Sequence, residues 1–267
     1  MRSLKTALVI VIGAAFVTAC SGDDEDTYIA RDVEVLYHLG TDSLQKKRFA
    51  VAAAAFDEVE RQHPYSSWAR RAQLMAAYSY YESSKYEDAI LSAERFLALH
   101  PGNKDAPYAY YLIAISYYEQ ISDVGRDQRA TEQAYQALTE VVRRFPASAY
   151  ARDAQLKLDL TRDHLAGKDM EVGRFYLNQR QYLGAIGRFR TVIERYQTTS
   201  HVPEALHRLV EAYLAMGVVT EAQATAAVLG HNYPGSKWYR YSYGLLTDQD
   251  LEPDEDEGSW IGRIFGG

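Results

Sequence analysis

A single cysteine, Cys20, occurs in the 267 residues. No internal disulfide can staple the fold, and no cysteine cluster can hold a metal. Prolines are scarce as well: there are seven, and most of them fall in one recurring phrase. No basic excess exists either. The formal charge is −7, so the broad cationic face of a general nucleic-acid binder is not expected. The phosphate-cradling loops G-x-x-x-x-G-K-[ST] and G-x-G-x-x-G are missing, as are the nucleophile elbow G-x-S-x-G and the zinc motif H-E-x-x-H. His63 and His100 each precede a proline at a helix end, where a cation complements the helix dipole. His201 and His207 fall on different sides of a helix, and acidic pairs such as Asp57–Glu58 suit solvated faces. These absences point away from an enzyme and imply no cofactor and no metal.

What is present begins with "MRSLKTALVIVIGAAFVTAC". A basic start at Arg2 and Lys5, an apolar run and small residues before Cys20 make a secretory signal peptide over 1–19, too short and wrongly flanked to span a membrane. "VTAC" resembles the bacterial lipobox, which implies lipidation of Cys20 and a membrane anchor. Ser21, rather than an aspartate, favours the outer membrane by the same resemblance. The acidic stretch "SGDDEDT" then reads as a tether over 20–29, leaving the folded part on the periplasmic face.

Next, one phrase returns: "HPYS" at 63–66, "HPGN" at 100–103, "FPAS" at 145–148 and "YPGS" at 233–236. Fifteen residues before each second position stand Phe49, Tyr86, Thr131 and Val219, and "YQTT" adds a fifth register from Tyr182. Three residues past each start comes an alanine: Ala52, Ala89, Ala134, Ala185 and Ala222. Apolar residues follow at offsets seven and ten, so each register carries one helical stripe that a proline then closes. A preceding helix carries a small residue and then a tyrosine three later, as in Ala77–Tyr80, Ala114–Tyr117 and Gly173–Tyr176. This pattern resembles the tetratricopeptide repeat. It predicts an all-α solenoid of five helix pairs over 30–247, with N-terminal repeats to about 146 and C-terminal repeats from about 147. The loop "ISDVGRDQRA" interrupts repeat three, and "AYARDAQLKLDLTRDHLAGKD" predicts an extra helix before repeat four, closed near Gly167.

The 22 tyrosines divide into two sets. Tyr80, Tyr117, Tyr176 and Tyr213 fill grooves between helices. A second stripe faces the concave side: Tyr37, Thr41 and Leu44 in repeat one; Leu74, Tyr78 and Tyr81 in repeat two; Tyr108, Tyr111, Ile115 and Tyr118 in repeat three. An uncovered ring-lined surface suits an extended peptide with aromatic side chains. In repeat four Arg188, Arg190 and Arg195 lie on one helix, and Arg188 and Arg195, seven apart, share a face, a local basic stripe suited to an acidic partner. Residues 248–267 read as an acidic disordered tail ending in an apolar motif, "GSWIGRIFGG".

Together with "FYLNQRQYLGAI" and the long helix ending "DHLA", these features resemble the lipoprotein family of the β-barrel assembly machinery in Gram-negative outer membranes. The resemblance implies a scaffold without catalysis. Its N-terminal repeats would engage the aromatic-ended targeting strand of nascent outer-membrane β-barrel proteins. Its C-terminal repeats would hold the periplasmic POTRA domains of the barrel subunit, BamA. Arg188 sits where that family places a partner-facing arginine, and Arg126 and Asp127 match its charged loop. Other lipoproteins of the machinery stand as further partners. The other reading is a periplasmic adaptor of the same repeats that links cell-wall synthesis or division to the outer membrane.

Overall fold

The computed structural model describes residues 31–254, 256 and 259–265. The signal peptide, Cys20 and the acidic tether lie outside the described residues. Those described form twelve α-helices and no strand. The first ten make five antiparallel pairs: α1 (Val33–Gln45) with α2 (Phe49–Gln62), α3 (Ser67–Glu82) with α4 (Tyr86–Leu99), α5 (Ala106–Tyr118) with α6 (Arg129–Arg144), α7 (Ala151–Asn178) with α8 (Tyr182–Arg195), and α9 (Val202–Ala215) with α10 (Val219–Asn232). A closing helix α11 (Lys237–Thr247) and a short α12 (Trp260–Phe265) follow. From α1 to α11 each helix packs on the next, and the first helices of successive pairs also touch one another in series. That is the arrangement of a tetratricopeptide-repeat solenoid, whose inner face is lined by the first helix of each pair.

Two turns recur. After the second helix of every pair, the amide of the phrase's last residue bonds back three residues: Ser66 to His63, Asn103 to His100, Ser148 to Phe145, Thr199 to Tyr196 and Ser236 to Tyr233, all at 2.9–3.0 Å. The "YQTT" register keeps this turn without a proline, because Tyr196 adopts φ −130° and ψ 41°, close to its proline-preceding counterparts. Inside four of the pairs the chain turns through one left-handed residue: Lys47, Ser84, Arg180 and Gly217. Only the last of these is glycine, so the turn's own backbone bonds hold the others in that conformation.

Packing within a pair rests on a small residue under a large one. A Cβ on Gly40 would stand 2.5 Å from the Phe56 ring, and one on Gly173 would stand 2.5 Å from the Phe189 ring. Both rings are fully buried, as is Phe96. The alanines at the shared offset, Ala52, Ala89, Ala134, Ala185 and Ala222, are all completely buried as well.

Two expectations change here. The extra helix predicted to close near Gly167 does not close. It continues as α7, 28 residues long, whose last third serves as the first helix of repeat four. Glycine in a helix interior costs only about 1 kcal/mol. Gly167 lies against His201 and Val124, where a Cβ would stand 3.3–3.4 Å from their side chains. No proline occurs between Pro146 and Pro203, so nothing in the chain compels a break. The tail also departs from the disordered reading in its described part. α12 packs on α10, and Ile261 is fully buried.

The ring contacts generate a paired prediction. Gly173→Ala should destabilise the chain by about 1–3 kcal/mol, because the new methyl meets a buried ring that cannot move aside. Gly187→Ala, on an exposed stretch of α8 with open space around it, should stabilise by about 0.5–1 kcal/mol. Urea unfolding followed by circular dichroism of the two variants checks both signs.

Candidate peptide-binding site

The predicted stripe divides when its residues are placed. Leu74, Tyr78 and Tyr81 on α3, with Tyr108 and Tyr111 on α5, gather around the core between α3, α4 and α5. All five are half-buried, neither sealed nor free. A sixth aromatic joins them. Tyr150, at the start of α7, lies 5.2 Å from the Tyr108 ring and stacks on Tyr111 at 5.1 Å with planes 23° apart. The result is a continuous aromatic floor across repeats two to four, built on helices whose backbones are fixed by the solenoid.

Carboxylates border that floor. The Tyr111 hydroxyl donates to Asp153 at 2.5 Å, and Tyr81 donates to Glu119 at 3.3 Å. Desolvation and the adjoining acids keep these phenols neutral. Burial first, then Glu119, pushes the Tyr81 hydroxyl up to about 12. Tyr108 and Tyr111 rise further, again chiefly through burial. Burial acts upward on the Asp153 carboxyl too, but the bonds from Lys157 and Tyr111 outweigh it and hold the group below its ordinary range. The floor therefore offers ring faces and neutral hydroxyls, suited to rigid apolar contact with a few polar anchors.

The remaining members of the stripe lie elsewhere. Tyr37, likewise half-buried, packs against the core of the first hairpin, 4.7 Å from Trp68 and 5.4 Å from Phe56. Tyr118 lies under the Lys157 ammonium at 5.6 Å and packs toward α6 and α7. Ile115 is buried, so it supports the floor from beneath rather than lining it.

The basic stripe of α8 also divides. Arg188 is half exposed and pairs with Asp169 at 2.9 Å, and Arg195 is exposed at the helix end. Arg190 instead lies 3.9 Å from the Trp260 ring of α12. Arg126 and Asp127 are exposed on the loop between α5 and α6. Gln128 ties that loop together through the carbonyls of Asp123, Val124 and Arg126.

Sequence reasoning missed Tyr150, although a signal existed. Four residues past the phrase's proline stand Trp68, Tyr150 and Trp238. Each lays its ring on the first helix of the preceding pair: Trp68 on Tyr37, Tyr150 on Tyr108 and Tyr111, and Trp238 on His207. Aromatics at this offset therefore mark three of the five seams, with Asp105 and His201 at the other two.

One hydrolase-like row exists away from this face. Ser242 Oγ lies 2.9 Å from His207 Nδ1, with Glu211 3.5 Å from Nε2. Ser242 is completely buried, so no substrate can reach it, and the row instead fastens α11 to α9. Among the described residues no cluster of ligating side chains could hold a metal ion.

Helix pairs stacked in this way define a tetratricopeptide-repeat protein. Residues 30–229 match the profile of the YfiO outer membrane lipoprotein family. The chain is 53% identical over 249 residues to outer membrane protein assembly factor BamD of Caulobacter vibrioides, covering 92% of this chain and 82% of that protein. It is 42% identical over 248 residues to BamD of Rickettsia prowazekii, with coverage of 93% and 99%. Against BamD of Neisseria meningitidis serogroup A the identity is 33% over 254 residues, covering 90% and 95%. The chain belongs to this family of outer-membrane protein assembly factors.

The Tyr111–Asp153 bond gives a test of the site's electrostatics. Asp153 is held low, so it favours the folded state above the ordinary carboxylate range, and that contribution disappears as pH falls through its folded value. Tyr111→Phe removes one donor and should move the Asp153 carboxyl upward, read as a shifted side-chain carbonyl titration by NMR.

Proposed function

We propose that the chain is a non-catalytic scaffold of the outer-membrane assembly machinery that holds an unfolded client with one half and the barrel subunit with the other. The client-binding surface is the floor of Tyr78, Tyr81, Tyr108, Tyr111 and Tyr150, and this cluster of half-buried rings is the observation that supports the reading most. An extended segment with alternate aromatic and apolar side chains can lay its rings on such a floor. The helices are already fixed, so the floor loses little conformational freedom on binding. The partner surface is the outward arginines of α8, Arg188 and Arg195, with Arg190 beside them and Arg126 and Asp127 on the repeat-three loop; the POTRA domains of BamA are its occupant. Lipidation of Cys20 would tie the assembly to the periplasmic face of the outer membrane. A cell-wall or division adaptor has no comparable support, since the matched relatives bear the name of an assembly factor along nearly their whole length.

A photo-crosslinking residue placed at 78 or 111 in cells should capture nascent barrel proteins, and Tyr108→Ala combined with Tyr111→Ala should reduce that capture at least tenfold. Arg188→Glu should leave client capture intact and release BamA on purification. Capture of cell-wall synthases from position 78 or 111, or indifference to loss of the rings, would show that the floor serves another purpose.

A further inference from the structure

The C-terminal segment, expected to be loose, is seated on the very helix that carries the partner-facing arginines. Trp260 covers the Arg190 guanidinium at 3.9 Å, and its indole N–H donates to Glu194 Oε1 at 3.0 Å. Glu194 is also the carboxylate that pairs with Arg190, at 3.5 Å. One indole therefore occupies both members of an ion pair on α8. Next to it Ile261 is completely buried, while Ile264, Phe265 and Leu251 pack on the same C-terminal core. Gln223 on α10 donates to the Glu252 carbonyl at 2.7 Å, so the chain leading to α12 is guided along α10 before it reaches α8. Ser259 starts the short helix by accepting from the Gly262 amide at 3.0 Å.

Two properties make this contact exchangeable. The helix has only six residues, too few to be stable without the surface beneath it. The stretch that leads to it, "DQDLEPDEDE", holds seven acids in ten residues, so the tail is itself a polyanion tethered beside a basic stripe. Its charge is that of the acidic partner surface for which an arginine row is suited.

We infer that the tail is a built-in competitor: with α12 docked, Trp260 withholds Arg190 from an acidic partner surface, and partner binding displaces α12 from α8. The inference rests on the reading that the α8 arginines face a partner. Arg188 and Arg195 stay outward in both states and serve as the first contact. Arg190 is added only when the indole leaves. A partner whose competent surface is masked for most of the time binds with an apparent affinity reduced by the unmasked fraction. Removing the mask should restore it.

The test uses the soluble mature chain, the same chain ending at residue 247, and a synthetic peptide of residues 248–267, with purified POTRA domains of BamA as the probe. If the tail competes, the truncated chain binds the probe about tenfold more tightly, the ratio expected for a mask closed about nine-tenths of the time. Trp260→Ala in the full-length chain should produce most of the same gain with an unchanged melting transition, which separates unmasking from misfolding. Adding the peptide in trans should return the truncated chain to the weaker value, and Arg190→Ala should abolish the difference between full and truncated chains. Equal or weaker binding by the truncated chain overturns the inference, because the tail would then be neutral or part of the interface. If neither chain binds the probe while the peptide still binds the truncated chain, the partner reading has failed and the competition falls with it.

Discussion

The structure depends on one close approach, repeated along the chain: a small residue on the first helix of a pair lets the second helix come near enough for a ring or branched side chain to fill the gap. Gly40 under Phe56 and Gly173 under Phe189 are the tightest cases, with no room for even one added methyl. A single pair closed in this way still has an unburied side, and only the next pair can cover it. The recurring turn after each second helix sets the direction in which that next pair arrives. Small residue, ring and turn therefore form one unit, and weakening any of them exposes apolar surface in two repeats.

From this constraint come two surfaces of different kinds. The first helices, fixed along their length, present rings that cannot collapse further because their own backbones are held apart by the solenoid. Tyr78, Tyr81, Tyr108, Tyr111 and Tyr150 owe their partial exposure to that rigidity. The second helices carry charge on their outer faces instead, and α8 bears Arg188, Arg190 and Arg195. Membership in a family of outer-membrane protein assembly factors gives these surfaces their setting.

Much of the architecture could be read from spacing alone. Five alanines at one offset, all completely buried in the structure, identify the second helix of each pair. The proline phrases identify its end, and the Gln197 register keeps the turn because the backbone bonds do not need proline. What spacing could not reveal depends on contacts between distant residues. The continuity of α7 through Gly167 is supported by His201 and Val124, from outside the helix. The order of α12 depends on Glu194, 66 residues upstream. The described acids of the tail are exposed, as composition suggests, but the apolar motif behind them is seated on the C-terminal core. The aromatic floor was legible in its α3 and α5 members; Tyr37 and Tyr118, half-buried like them, lie against other clusters, and register alone does not tell which rings adjoin.

The long α7 has a mechanical meaning. At 1.5 Å per residue its 28 residues form a beam about 42 Å long. Its first turn holds Asp153, bonded to Tyr111, and its last turns hold Gly173 against Phe189 on α8. No hinge separates those ends. A tilt of about 10° imposed on one end would swing the other through about 7 Å, given that length. The tyrosine floor and α8 are thus joined by one unbroken rod, with Gly167 buried near its middle.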